Sequence, residues 1–166
     1  MNIELRPIGF VETSRSEVED DFWGGIESCI HLTDEFSPEA LEGLSDFSHV
    51  EVIFQFHKLE PGEVIRGARR PRNNPDWPAV GIFAQRNKHR PNGLGATICR
   101  VVRIEGTRLY VSELDALDGT PVLDIKPVMA EFLPAKPVRQ PAWSHELMRQ
   151  YWLRKDERRR PSRPTY

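Results

Sequence analysis

The chain has 166 residues and a mass of 19.2 kDa, the size of one domain. Hydrophobic residues make up 39% and charged residues 29%, and no apolar run approaches the roughly 18 residues that cross a bilayer. The opening MNIELRPIGF lacks the apolar core of a signal peptide, and Cys29 and Cys99 supply neither a disulfide framework nor a CxxC pair, so a membrane protein, a zinc ribbon and a cystine-stapled secreted domain are disfavoured and the expected compartment is the cytoplasm.

The net charge of −2 hides a division: residues 12–51 hold twelve acids and one base, Arg15, whereas residues 52–166 hold twenty-one bases and twelve acids. The bases are clustered. Arg66, Arg69, Arg70 and Arg72 form one group; Arg86, Lys88, His89 and Arg90 form a second; the C-terminus from Arg154 to Arg163 forms a third. Clusters of this kind suit an anionic partner, and nucleic acid is the partner they suggest.

In chain order, residues 3–13 read as a first strand. Ser37-Pro38-Glu39-Ala40 reads as the start of a short helix that Ser37 caps and Gly43 ends. Residues 49–57 are the cleanest strand: Val50, Val52, Phe54 and Phe56 alternate with His49, Glu51, Ile53, Gln55 and His57. The segment 60–78, with four prolines and four arginines, reads as a loop. Residues 79–84 form a short apolar strand, 96–104 and 109–114 a hairpin turning through 105–108, and 121–126 a last strand. Residues 144–158 predict a helix with Leu147, Met148, Tyr151 and Trp152 in one stripe, a packing face rather than a cofactor box. The remaining tail reads as disordered.

Many short strands and one late helix make the fold mainly β, a small barrel or rolled sheet with a short helix near residue 40 and a C-terminal helix. The expected division is a barrel over residues 1–142 and a helix with a basic tail over 143–166. The apolar stripe with Trp143 also offers a surface for a homodimer.

Familiar nucleotide devices are missing. Gly93-Leu94-Gly95 lacks a third glycine and leads into an apolar β-type run, and no P-loop or G-x-S-x-G motif occurs. His49, Glu51 and His57 share a strand face, but the histidines stand about 26 Å apart when extended and cannot meet on one ion without a sharp bend. Cys99 sits in an apolar run, as a core residue does. Two polar stretches stand out instead. Residues 84–95 join two apolar strands with more basic and amide side chains than a connection needs, and residues 115–127 gather three aspartates and a lysine around a turn. Asp124 and Lys126 share a strand face there and suit a structural ion pair.

PIGFVETS, LEGLSDFSHVEVIFQFH, RPNGLGAT and DALDGTPVLDIKP occur in that order. Together they resemble the TrmO/TsaA-like family, also known as YaeB. The resemblance implies a single-sheet β-barrel that binds S-adenosyl-L-methionine, forms dimers and methylates N6 of threonylcarbamoyl-adenosine in tRNA. The family's F-H pair matches Phe56-His57, followed by Lys58. Its A-T-R matches Ala84-Gln85-Arg86, with glutamine for threonine. Its R-P-N-P-I-G matches Arg90-Pro91-Asn92-Gly93-Leu94-Gly95, with Gly93 for the second proline. Its cofactor-contacting run matches Ser112-Glu113-Leu114-Asp115. The resemblance therefore places His57, Lys58, Arg86, Leu94, Ser112, Glu113, Leu114 and Asp115 around the cofactor. Where many members carry a P-R-Q loop, this chain has an acidic and aromatic segment over 19–25. Its Phe22 and Trp23 offer faces that suit a sulfonium cation.

Methyl transfer from a sulfonium is an in-line displacement, for which positioning supplies about 7–11 kcal/mol. The acceptor amine of adenine is a poor nucleophile because its lone pair is delocalised into the ring. A carboxylate accepting its N–H bonds restores electron density, and Asp118, Asp115 and Asp124 are the candidates. Arg90, Asn92, Lys88 and Lys126, with Arg86, are the candidates for acceptor phosphates or a carboxylate on the modified base. The alternative is a non-catalytic module that binds S-adenosylmethionine as a sensor.

Overall fold

The structure, a computed structural model, describes residues 3–156. Its strands are β1 (Gly9–Glu12), β2 (Glu27–Leu32), β3 (His49–Gln55), β4 (Ala68–Arg69), β5 (Val80–Gly81), β6 (Leu94–Glu105), β7 (Arg108–Ser112) and β8 (Pro121–Pro127). Six of them close as an antiparallel barrel in the order β1-β2-β7-β6-β3-β8, with β8 returning to β1. Closure leaves no strand edge exposed along the wall. The remaining pair, β4 and β5, forms a ribbon outside the barrel.

The barrel closes because its strands alternate. On β3, Val50, Val52 and Phe54 are buried, and Phe56 packs edge-on against Phe54 at 5.4 Å. Val11, Ile30, Leu109, Val111, Leu114 and Val122 complete the interior. Cys99 lies among them, and burial pushes its thiol pKa up. Gly95 belongs to the same packing: a Cβ there would stand 2.4 Å from the Phe54 ring. β6 is the corner strand. Leu94 to Arg100 pair with β3 and Arg100 to Glu105 pair with β7, with a shift of register between Val101 and Arg103 that bends the strand from one partner to the other. The hairpin turn is Gly106-Thr107, with Gly106 at φ 60°, the glycine-first pattern of a type II′ turn.

Four predicted elements change. The first strand is shorter, because Pro7 has no N–H to give a ladder. β2 was not expected: Ser28, Cys29 and Ile30 are buried consecutively, so its sequence shows no period of two. The turn after Ser37 is a 3-10 turn, Pro38–Leu41, and the Ser37 side chain makes no cap bond. Of the strand expected over 79–84, only Val80–Gly81 pairs; Ile82–Ala84 is a 3-10 turn. The late helix, α1, is Ala142–Met148, shorter than its apolar stripe. The predicted disordered tail lies outside the described residues beyond Asp156.

The alternation of strand direction puts three connections on one rim: residues 13–26 between β1 and β2, 56–93 between β3 and β6, and 113–120 between β7 and β8. The chain leaves β8 at the opposite rim and runs back, so that α1 and the residues after it cover this one.

Candidate active site at the barrel rim

The three connections and the C-terminal segment enclose a cleft of about 1510 Å³. That exceeds the 300–1,000 Å³ typical of a small-molecule site, and leaves space for a nucleoside-sized ligand and part of a second molecule. Phe54, Phe56, Gly95, Thr97, Ala116 and Thr120 form its barrel side.

Glu19, Asp20 and Asp115 bring carboxylates to the lining, and Asp115 is the one set beside the barrel strands. Asp115 follows β7, and its two oxygens accept separate hydroxyls, from Thr97 on β6 and from Tyr151 beyond α1. Burial first, then the adjacent Asp115, pushes the Tyr151 pKa up, so the phenol stays protonated and donates. The site thus spans a barrel strand, a rim turn and the C-terminal segment.

A basic wall faces it. Arg86 donates to the Ala96 carbonyl and Arg90 to the Gln85 carbonyl, each at 2.5 Å. Gln85 is buried; its amide donates to the Arg69 and Val80 carbonyls at 3.0 and 2.9 Å and accepts from Asn87 at 2.8 Å. This lashes the loop to the β4–β5 ribbon. Both arginines keep further donors, because a guanidinium carries five N–H groups. His57 lies within 3.2 Å of the Thr120 hydroxyl. Burial lowers its pKa below 6.5, Lys58 lowers it further, and Asp118 opposes the shift. Lys58 donates to the Ser16 carbonyl at 2.6 Å, tying the acidic loop to the rim.

That acidic loop is fastened at several points. Arg15 is 5% exposed; it donates to the carbonyls of Phe22 and Asp21 at 2.8 and 2.7 Å and lies 4.1 Å from the Trp23 ring centre. Arg72 grips the Asp21 carboxylate with two bonds, at 2.7 and 2.8 Å, and although burial opposes it, this pairing holds the guanidinium pKa up. The loop backbone joins the C-terminal segment: Phe22, Trp23 and Gly24 N–H groups donate to the carbonyls of Gln150, Tyr151 and Leu153 at 3.1, 2.7 and 3.3 Å. On the far side, Trp77 donates to Glu146 on α1 at 2.8 Å, and its ring lies 6.4 Å from that of Trp143.

Of the residues expected at a site, His57, Lys58, Arg86, Leu94, Asp115, Trp23, Arg90, Asn92 and Lys88 line the cleft. The others do not. Asp118 accepts the Thr13 N–H at 3.0 Å and holds the rim turn against β1. Asp124 pairs with Lys126 at 2.5 Å on the outer wall, the structural ion pair their spacing suggested. Ser112 ends β7, Leu114 is fully buried in the core, and Glu113 adopts φ 68° between them, so the run supports Asp115 rather than lining the space. Phe22 is buried beneath the acidic loop. Trp143, Leu147, Tyr151 and Trp152, expected on a dimer face, line the cleft of their own chain.

Sequence reasoning missed Thr97, Tyr151, Arg15, Arg72 and Gln85. Two signals were present. Arg15 is the one base among twelve acids over residues 12–51, and such a charge is a candidate for internal pairing. Tyr151 and Trp152 extend an apolar stripe that already held Leu147 and Met148.

A closed antiparallel barrel with a basic, carboxylate-bearing cleft at one rim belongs to the class of compact ligand-binding barrels. The family model described as "tRNA-methyltransferase O N-terminal domain" matches residues 18–132, and the chain belongs to that family. It is 33% identical over 148 residues to the human tRNA (adenine(37)-N6)-methyltransferase, covering 84% of this chain and 33% of that protein. It is 38% identical over 135 residues to a probable S-adenosyl-L-methionine-binding protein of Methanothermobacter thermautotrophicus, covering 76% of this chain and 90% of the other. The crystal structure of TrmO from Pseudomonas aeruginosa superposes with a TM-score of 0.67 at 33% identity, over 84% of this chain and 61% of that one. The chain thus spans about a third of the human enzyme and most of the archaeal protein.

Proposed function

We propose that this chain is an S-adenosylmethionine-dependent methyltransferase that modifies N6 of an adenosine in tRNA, with threonylcarbamoyl-adenosine as the acceptor. The observation that carries the proposal is Asp115: a carboxylate oriented by two hydroxyls, inside a cleft with a basic wall. Family membership and the names of the relatives support it.

The residues present fit the cofactor. Leu94, Phe56 and Leu117 give apolar contact for an adenosine, His57, Lys58 and Arg86 give polar groups for its amino-acid end, and Asp115 with Trp23 gives the anionic and aromatic surroundings a sulfonium needs. When bound, S-adenosylmethionine supplies an electrophilic methyl group. The protein's task is then alignment and exclusion of water. Asp115 accepts an N–H of the acceptor amine and raises the electron density on nitrogen. Arg90, Lys88 and Asn92 hold phosphate oxygens or the carboxylate of the modified base. Asp118 and Asp124 have no part in this scheme.

The test is Asp115→Asn in single-turnover transfer of tritiated methyl to bulk tRNA. We expect the rate to fall about a hundredfold or more, and the cofactor Kd from calorimetry to rise by less than the rate falls, since Trp23, His57, Lys58 and Arg86 remain. An unchanged rate overturns the assignment. The second reading, a module that binds S-adenosylmethionine without transfer, draws on the archaeal relative's name; cofactor binding by the wild type with no transfer to RNA would favour it.

A homodimer belongs to the same proposal. With the α1 stripe occupied by the cleft, its contact falls on the exposed Met129, Phe132 and Leu133, and a sedimenting mass of 19.2 kDa at every concentration would remove it. No helix among the described residues is long and apolar enough to cross a membrane. The compartment proposed for this activity is the cytoplasm.

A further inference from the structure

Phe83 is 79% exposed at the edge of the cleft. Its display is built. It sits in the middle of the 3-10 turn Ile82–Ala84, whose first residue, Ile82, is buried and donates its N–H to the Gly67 carbonyl at 3.0 Å. The turn is closed by Gln85, which donates its N–H to the Ile82 carbonyl at 3.2 Å and its buried amide to both strands of the ribbon. Anchored on both sides, the turn presents an aromatic ring to solvent with little freedom of backbone.

The surroundings select the occupant. Arg69 on β4 and Arg86, Lys88, His89 and Arg90 after the turn line the same cleft. A protein partner with an apolar anchor would need acidic groups around it. A nucleic acid meets both requirements at once, with phosphates for the cations and a base for the ring. Every base has a π-face, and an unpaired base in an RNA loop stacks on exposed aromatic side chains. The acceptor amine is reached only if its nucleotide leaves the stack, which breaks the stacking of a neighbouring base and leaves that base in need of a new platform.

Resting on the methyltransferase reading above, we infer that Phe83 is the stacking platform for an unpaired base flanking the acceptor adenosine. It acts on RNA affinity and not on the cofactor or the chemical step.

The experiment compares wild type, Phe83→Ala, Phe83→Leu and Phe83→Trp in the full chain. Filter binding to an anticodon stem–loop RNA, methyl transfer to bulk tRNA, cofactor calorimetry and sedimentation are measured for each. Phe83→Ala is expected to weaken RNA binding and raise KM for tRNA about tenfold or more, by the known effect of removing one stacked aromatic. kcat and the cofactor Kd stay within twofold. Phe83→Trp restores binding and Phe83→Leu, apolar but without a π-face, does not. Equal RNA binding by Phe83→Ala, full rescue by Phe83→Leu, no RNA binding by the wild type, or a self-association that Phe83→Ala abolishes would each overturn the inference. If the wild type binds RNA through Phe83 yet transfers no methyl group, the platform stands and the methyltransferase reading falls.

Discussion

Asp115 and Asp118 stand three positions apart in one turn, and only one of them faces the cleft. The backbone decides. The Asp118 N–H donates to the Arg15 carbonyl at 2.8 Å while its carboxylate takes the Thr13 N–H, so this residue closes the β1 end of the turn. Asp115 points instead at the hydroxyls of Thr97 and Tyr151, which lie eighteen and thirty-six positions away. The D-x-x-D spacing was legible in the sequence; which aspartate lines the cleft was not, because the deciding partners are long-range. The contacts of the basic residues were legible as a cluster, since Arg86, Lys88 and Arg90 share one loop. His57 yields a prediction at this scale. Its folded pKa lies below the unfolded value near 6.5, chiefly through burial and then Lys58. As pH falls through about 6.5, the unfolded chain takes up the proton before the folded one does. Stability is therefore full above that value and declines on acidification toward the folded pKa. The urea midpoint should drop as pH falls below about 6.5, less steeply in His57→Gln, and the His57 ring should titrate below 6.5 by NMR. A ring titrating above that value refutes this.

At the scale of elements, the barrel strands with clean alternation were readable: β3, the β6–β7 hairpin and β8 stand where the pattern put them. β2 was hidden because it buries consecutive residues. The helix was overextended because its stripe continues into turns closed by bonds three residues apart, Tyr151 N–H to the Met148 carbonyl and Leu153 N–H to the Gln150 carbonyl, and not into further α-helix. That continuation is the part with consequence. Residues 22–24 and 150–153 pair through their backbones, and Gly24 permits the approach: a Cβ there would lie 1.9 Å from the Trp152 carbonyl oxygen. Neither atom is the end of a flexible side chain, so Gly24→Ala must part the two segments. We expect a loss of about 1–3 kcal/mol in urea unfolding and faster tryptic cleavage after Arg149 and Arg154. Gly62→Ala, which meets nothing within 4 Å, should stay within about 0.5 kcal/mol. Equal cleavage of both variants would show that the pairing does not hold the segment over the cleft.

Across the whole molecule, the charge division acquires a structural meaning. Part of the acidic first segment is consumed internally: Asp21 by Arg72, and Glu19 by Arg15 and Lys155. The acidic run is thus a fastening for the cleft rather than a surface awaiting a cationic partner. Among the described residues, Arg69, Arg86, Lys88 and Arg90 enter none of the ion pairs, so their charge remains for an outside anion. If Arg69, Lys88 and Arg90 contact phosphates while Arg86 is kept for the cofactor, the plot of log affinity for RNA against log salt has a slope of about −2.1 to −2.7, and raising salt from about 50 to 200 mM weakens binding roughly 20- to 40-fold. Lys88→Ala then makes the slope shallower by about one, because a single counterion-releasing contact is removed. Lys126→Ala should leave it unchanged, since that lysine is engaged by Asp124 on the outer wall. Filter binding over that salt range checks all three slopes. A wild-type slope near zero, or an equal effect of the two lysine variants, would mean that this wall does not bind the RNA backbone.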